Sequence, residues 1–158
     1  MKNTLPPNTH RRNTLKQIAS LTGLLASLGY SSLAQAAYNK AAFDSKSVNE
    51  AVKFQGGSGI VESKDILLNA PDYAENGAAV ALGVSTGLSG VRKMLILIEK
   101  NPASLAASFE VNEWIEANFS TRIKMSQTSD VYAVAVMADG RALFAKKEVK
   151  VTIGSCGA

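Results

Sequence analysis

Apolar and polar positions divide the chain into regions with different periods. Residues 18–34 form an apolar stretch, residues 45–54 repeat apolar side chains at helical spacing, and the chain from Ile60 onward alternates in short runs. A helical period places one face of a segment against a core, whereas a period of two is typical of strands. The pattern predicts a leader segment, one short helix and an all-β domain.

The predicted helix covers residues 45–54, and Asp44 or Ser45 is expected to cap its start. Its apolar face consists of Phe43, Val48, Ala51, Val52 and Phe54. The sequence Gly56-Gly57-Ser58-Gly59 then forms a loop, because glycine clusters disfavour the interiors of both helices and strands.

Seven strands separated by turn residues are predicted in the rest of the chain. They cover residues 65–69, 78–85, 91–100, 106–113, 120–127, 130–137 and 143–153. The continuous apolar run at residues 94–98 predicts a central strand covered on both faces. In residues 131–137 the odd-numbered positions face one way and the even-numbered ones the other, and Asp139-Gly140 predicts a tight hairpin into the last strand.

Seven short strands in this length favour an immunoglobulin-like β-sandwich, here without the cysteine pair of antibody domains, and a small barrel is the alternative. Trp114 and the other aromatic residues are expected to pack in the core or at an interface rather than to bind a ligand.

The first 36 residues have the charged, apolar and cleavage regions of a signal peptide, which we expect to be cut after Ala36. The segment His10-Arg11-Arg12-Asn13-Thr14-Leu15-Lys16 resembles a twin-arginine export signal, and an ordinary secretory signal is the alternative. We therefore expect a periplasmic protein with an N-terminal helix and glycine-rich loop at residues 37–59, a β domain at residues 60–153 and a flexible carboxyl-terminal arm at residues 154–158.

Removal of the signal changes the charge of the protein. Four of its 17 basic residues lie in the signal, which leaves 13 basic against 13 acidic residues and gives no support to nucleic-acid or membrane binding. The single histidine, His10, is also lost, so histidine-dependent catalytic and metal sites are not expected. We predict no cofactor, no metal ligand and no catalytic residue.

The single cysteine lies between small residues in the arm Gly154-Ser155-Cys156-Gly157-Ala158. Nothing there is large enough to pack and offset the entropy of ordering, so the thiol could reach on the order of 10 Å beyond Ile153 and enter a narrow channel. The nearby carboxylate of Ala158 disfavours a thiolate, although Lys146, Lys147 and Lys150 partly oppose it. We expect a partner enzyme to activate this thiol. A frayed tail without function is the alternative.

The ending Val149-Lys150-Val151-Thr152-Ile153-Gly154-Ser155-Cys156-Gly157-Ala158 resembles that of the SoxY family, the sulfur carriers of periplasmic thiosulfate oxidation, which ends in Gly-Gly-Cys-Gly-Gly. Residues 70–77, 99–102 and 120–125 also resemble the family, and Ser155 and Ala158 depart from its pattern. The resemblance implies an immunoglobulin-like domain that pairs with a SoxZ-like subunit. It further implies that a c-type cytochrome enzyme conjugates thiosulfate to Cys156, a hydrolase releases sulfate, and in some organisms a sulfur dehydrogenase oxidises the remaining sulfane.

Two other classes of function remain open from the sequence. An exported interaction module would use Cys156 for an intermolecular disulfide. A thiol enzyme is disfavoured, because the mature chain offers no histidine to act as base, acid or oxyanion donor.

Overall fold

The computed structural model describes residues 39–152 of the chain. Within them, two helices precede nine strands, and the strands form two sheets. The helices are α1 (Lys40–Phe43) and α2 (Val48–Phe54). The strands are β1 (Ile60–Glu62), β2 (Ile66–Asn69), β3 (Tyr73–Ala74), β4 (Val80–Thr86), β5 (Val91–Ile98), β6 (Leu105–Glu110), β7 (Asn118–Ile123), β8 (Ser129–Met137) and β9 (Ala142–Val151).

The larger sheet has the order β1-β9-β8-β5-β6, and the smaller sheet has the order β2-β4-β7. Most neighbours are antiparallel, but β1 and β3 both pair with β9 in parallel. β1 pairs with the first residues of β9 and β3 with its last, so the outer edge of β9 is covered at both ends.

Two cores lie on opposite faces of the larger sheet, as the alternation predicted. Between the sheets, Met94, Ile96 and Ile98 of β5 pack with Val131, Ala133 and Ala135 of β8. On the other face, Leu95 and Leu97 pack with Tyr132, Val134 and Val136 and with the helical residues Ala51 and Val52. The prediction of a sandwich with β5 in a central position is therefore confirmed.

The helical region differs from the prediction. The expected single helix at residues 45–54 begins later, at Val48, and a second short helix precedes it. Asp44 ends α1 rather than capping α2, and Ser45 is buried with its hydroxyl donating to the carbonyl of Ala42. The actual cap is Ser47, whose hydroxyl accepts the backbone N–H of Glu50 at 3.3 Å. This spacing of a serine and a glutamate is a common start signal for helices.

All seven predicted strands are present with shifted ends, and β1 and β3 were not predicted. The predicted strand at residues 120–127 is β7, which starts at Asn118 and leaves the sheet after Ile123. After Ile123, the side-chain amide of Asn101 forms hydrogen bonds with the backbone in place of a neighbouring strand. It donates to the carbonyl of Lys124 at 2.8 Å and accepts from the N–H of Ser126 at 3.0 Å. A side chain from a distant loop therefore ends this strand.

The hairpin between β8 and β9 confirms the predicted turn at Asp139-Gly140. Gly140 has a φ of 86°, in the left-handed region that side chains with a Cβ rarely adopt. The Asp139 carboxylate accepts from the Arg141 backbone N–H at 3.0 Å and from its guanidinium at 2.6 Å. Both bonds lower the pKa of Asp139.

Trp114 was expected to pack either in the core or at an interface, and it does not lie in the core. Its side chain is 86% exposed, and the placement at an interface remains a prediction. Phe109 and Phe119 stack on each other at 4.4 Å between their ring centroids and pack against the core between the sheets.

Candidate functional site

The candidate site is the place where the chain leaves the sandwich toward Cys156. Cys156 and its neighbours Gly154, Ser155, Gly157 and Ala158 lie outside the described residues, as does Ile153. The described part of the site is the arm base, which we define as residues 150–152 together with residues 72–75 and Thr128. It lies at the end of β9, the strand that leads directly into the predicted arm.

Hydrogen bonds hold the arm base from both sides. On the side of β3, the N–H groups of Lys150 and Thr152 donate to the carbonyls of Asp72 and Ala74 at 3.0 and 3.1 Å. On the other side, the Val151 N–H donates to the hydroxyl of Thr128 at 2.9 Å. The chain is therefore fixed as far as Thr152.

Thr152 adds a further anchor with its side chain, because its hydroxyl donates to the carbonyl of Glu75 at 3.2 Å. Cys156 follows four residues later in the sequence. At roughly 3.4 Å per extended residue, its Cα lies within about 14 Å of the Cα of Thr152.

The three lysines noted near the arm have different partners. Lys147 forms an ion pair with Asp72 at 2.9 Å and also donates to the carbonyl of Ala70 at 2.6 Å. Lys146 pairs with Asp130 at 3.1 Å, and the hydrogen bond to that carboxylate is the main cause of its raised pKa. Lys150 lies over the ring of Tyr73 at 5.4 Å. Two of the three positive charges are therefore balanced by neighbouring carboxylates.

Lys150 and Tyr73 give the arm base an amphipathic surface. Tyr73 is 63% exposed although it belongs to β3, and Lys150 is in no ion pair within residues 39–152. A cation above an aromatic face is stabilised by the ring quadrupole while it stays accessible to water. The arm base therefore presents an accessible positive charge beside an exposed aromatic ring.

Tyr132 lies on the helix-side face of the larger sheet, close to Lys146 and Phe144. Its ring packs at 5.6 Å from that of Phe144, with the ammonium of Lys146 at 5.8 Å from its centroid. Burial, followed by the nearby charge of Glu99, raises the pKa of Tyr132, so its hydroxyl is neutral at physiological pH.

Residues 39–152 contain no cluster of three histidine, cysteine, aspartate or glutamate side chains that could hold a metal ion. Among the same residues, no helix is long and apolar enough to cross a membrane.

The structure adds residues that the sequence did not single out. Asp72, Tyr73 and Thr128 contact residues 150–152, but they lie outside β9 in sequence, and β3 has only two residues. No local pattern predicts such contacts. Cys156, in contrast, stands out in the sequence because it is the only cysteine.

Comparison with protein families finds one matching model, described as sulfur oxidation protein SoxY, over residues 51–156. The match includes both sheets, the arm base and Cys156. A search of the curated proteins finds no match.

Among solved structures, the sulfur carrier protein SoxY from Chlorobium limicola f thiosulfatophilum is 35% identical, with a TM-score of 0.59. The alignment covers 66% of this chain and 94% of that one.

Two more distant structures share the fold alone. A variant of the superoxide reductase (neelaredoxin) from Ignicoccus hospitalis is 16% identical, with a TM-score of 0.51, and the alignment covers 58% of this chain and 94% of that one. A putative superoxide reductase from Thermotoga maritima is 11% identical, with a TM-score of 0.50, over 60% of this chain and 95% of that one.

Proposed function

Because this chain belongs to the SoxY family of sulfur oxidation proteins and has its carrier role, we propose that it holds its sulfur intermediates covalently on the thiol of Cys156. The observation that carries the proposal is that the family match extends to residue 156, the only cysteine of the chain. A covalent sulfur carrier needs a thiol, and no other residue supplies one.

The geometry of the arm base supports a carrier. Hydrogen bonds hold the chain as far as Thr152, and three residues then separate it from Cys156, the last two of which, Gly154 and Ser155, have small side chains or none. A rigid base with a slender segment beyond it lets the thiol enter a narrow active site while the sandwich stays outside. The sandwich is the folded domain that carries the arm.

The proposed cycle begins when an oxidising c-type cytochrome enzyme joins thiosulfate to Cys156. A sulfur–sulfur bond forms, the thiol proton is released, and two electrons pass to the cytochrome. A hydrolase then uses water to release sulfate and leaves a persulfide on Cys156. In organisms that have a sulfur dehydrogenase, that enzyme oxidises the remaining sulfane sulfur. These enzymes and a SoxZ-like subunit are the proposed partners.

We propose that the protein works in the periplasm and is exported by the twin-arginine-type segment around Arg11 and Arg12. That route carries folded proteins, so a bound SoxZ-like subunit without its own signal could cross together with this chain. The signal lies outside the described residues, and the proposal rests on its sequence.

The proposal is tested by the intact mass of the chain recovered from the periplasmic fraction of cells that oxidise thiosulfate. We expect Cys156 to carry persulfide, thiosulfonate or sulfonate mass, and the Cys156→Ser variant to carry none. In a strain without a second carrier copy, this variant is expected to abolish thiosulfate oxidation.

Three outcomes would contradict the proposal. If the Cys156→Ser strain still oxidised thiosulfate, Cys156 would not be the residue that carries the sulfur intermediates. Recovery of Cys156 solely as a disulfide with another protein would favour the interaction module instead. Turnover of thiosulfate by the isolated protein would make it an enzyme.

A further inference from the structure

The connection between β6 and β7 exposes the largest side chain of the described sandwich to solvent. We call residues 111–117, with the sequence Val-Asn-Glu-Trp-Ile-Glu-Ala, the Trp114 loop. Trp114 is 86% exposed and its neighbour Ile115 is 43% exposed. Tryptophan is enriched among the residues that contribute most of the binding energy at the centres of protein–protein interfaces.

The Trp114 loop is ordered by its own hydrogen bonds. The N–H of Trp114 donates to the side-chain oxygen of Asn112 at 2.9 Å, and the N–H of Ile115 donates to the Asn112 carbonyl at 3.1 Å. Both ends are tied to the sandwich, because the Val111 N–H donates to the Arg92 carbonyl at 2.8 Å and the Ala117 carbonyl accepts from Thr86 at 3.0 Å. A backbone held in this way loses little additional freedom when the loop binds a partner.

A groove of about 840 Å³ lies beside the loop. Its apolar wall includes Leu67, Leu88, Val91, Val111 and Ile115, and Leu67 is 62% exposed. Polar side chains such as Ser85, Thr86 and Asn118 also line the groove, so it is a mixed surface next to the exposed ring of Trp114. Such a surface fits a protein partner better than a small molecule, because the tryptophan projects outward.

The charge of the loop indicates the chemistry of that partner. Glu113 and Glu116 flank the apolar pair, and neither forms an ion pair within the part of the chain that the structure describes. Arg92 adds one positive charge to the lining of the groove, so the net acidic character of this surface comes from Glu113 and Glu116 in the loop. A complementary partner offers an apolar pocket with lysine or arginine side chains at its rim.

The Trp114 loop and the arm base lie at opposite ends of the sandwich. Met137, at one end of β8, pairs with Val91 of the groove, while Ser129, at the other end, pairs with Val149 near the arm base. The nine residues of β8 separate the two ends by about 27 Å. A protein bound at the loop would therefore leave the end that carries Cys156 open.

We propose that the Trp114 loop and its groove bind the stable partner subunit of the carrier, through an apolar pocket on that subunit rimmed by basic side chains. This inference rests on the proposed function, which pairs this chain with a SoxZ-like subunit, and a permanently bound subunit must leave the thiol of the carrier accessible. Transient enzymes would approach the arm base, and the permanent subunit occupies the opposite end.

Trp114 itself reports on the proposed contact, because it is the only tryptophan of the chain. The mature chain is titrated with the purified SoxZ-like subunit, and the same titration with Trp114→Phe is subtracted to remove the signal of the subunit. We expect the emission maximum of Trp114 to move to shorter wavelength on binding. An unchanged maximum at saturation would overturn the proposal.

Variants test how much Trp114 and the two acidic residues of the loop contribute to binding of the subunit. The dissociation constant of the complex is measured by calorimetry. Trp114→Ala and the double change Glu113→Lys/Glu116→Lys are each expected to weaken binding at least about ten-fold. Val61→Ala, at a 64% exposed apolar position on β1, serves as the control and should change the constant by less than about two-fold. Trp114→Ala leaves the sandwich packing intact because the side chain is exposed, and circular dichroism verifies this.

Other outcomes separate this inference from the proposed function. If Trp114→Ala binds the subunit as the wild type does, or if it instead disrupts a dimer of this chain seen by sedimentation, the proposed occupant is wrong. If Trp114-dependent binding persists, also in Cys156→Ser, while Cys156 never acquires sulfur in cells, the carrier proposal fails and the docking surface stands.

Discussion

Two buried serines show how a single hydroxyl can stabilise or destabilise this fold. Ser129 accepts a hydrogen bond from the N–H of Lys100 and donates one to the carbonyl of Asp130, both at 3.0 Å. The hydroxyl of Ser104 is fully buried and has no hydrogen-bond partner among the described residues. A buried hydroxyl without a partner retains the cost of its lost hydration.

We predict that alanine at these two positions has opposite effects. Ser104→Ala should raise the free energy of unfolding by about 1 kcal/mol, because it removes an unbonded polar group and keeps the backbone bonds of that residue. Ser129→Ala should lower it by about 1 kcal/mol, because the N–H of Lys100 loses its acceptor and the carbonyl of Asp130 keeps only its bond from the N–H of Glu99. Urea denaturation measures both values. A loss of stability in Ser104→Ala would contradict the absence of a partner for its hydroxyl.

At the scale of elements, the contact between α2 and β9 depends on a glycine. A Cβ on Gly57 would lie 2.5 Å from Cγ1 of Val52 and 3.2 Å from Cβ of Ala142. The N–H of Gly57 also donates to the carbonyl of Val52 at 2.9 Å, so the residue cannot move away without losing that bond. This close approach allows α2 to pack against Ala142, the first residue of β9.

Gly57→Ala is predicted to lower the free energy of unfolding by about 1–3 kcal/mol, because the helix or the strand must shift. Gly87→Ala is the matched control, since a Cβ there meets nothing within 4 Å and neither glycine requires a positive φ. The control should change stability by less than about 1 kcal/mol. Thermal unfolding followed by circular dichroism compares the two variants, and equal losses would contradict the steric explanation.

The elements also show where sequence patterns stop being informative. The alternation in β8 and the apolar run in β5 identified both faces of the larger sheet. In these strands the polarity of each side chain indicates whether that side chain is buried. The strands β1 and β3 escaped prediction, since they have three and two residues and exist through pairing with β9. The same holds for the site: Cys156 was evident in the sequence, but Thr128 and Asp72 are brought to residues 150–152 only by the fold.

At the scale of the whole molecule, the larger sheet joins the helices and the smaller sheet into one structure. Val52 of α2 and Val84 of β4 are each 1% exposed, and they lie in the two cores on opposite faces of this sheet. Both cores use residues of β5 and β8. Loss of order in one core therefore removes support from the strands that form the other.

This shared sheet predicts a single cooperative unfolding transition. Val52→Ala and Val84→Ala should each lower the free energy of unfolding by about 2 kcal/mol, because each removes two buried methyl groups. Far-ultraviolet circular dichroism, which includes the helices, and near-ultraviolet signals from Phe109 and Phe119, which pack against the core between the sheets, should give the same midpoint in both variants. If the helical signal of Val52→Ala melted first while the sheet signal kept the wild-type midpoint, the helix layer would be an independent unit. The stable domain that carries the Cys156 arm would then consist of the two sheets alone.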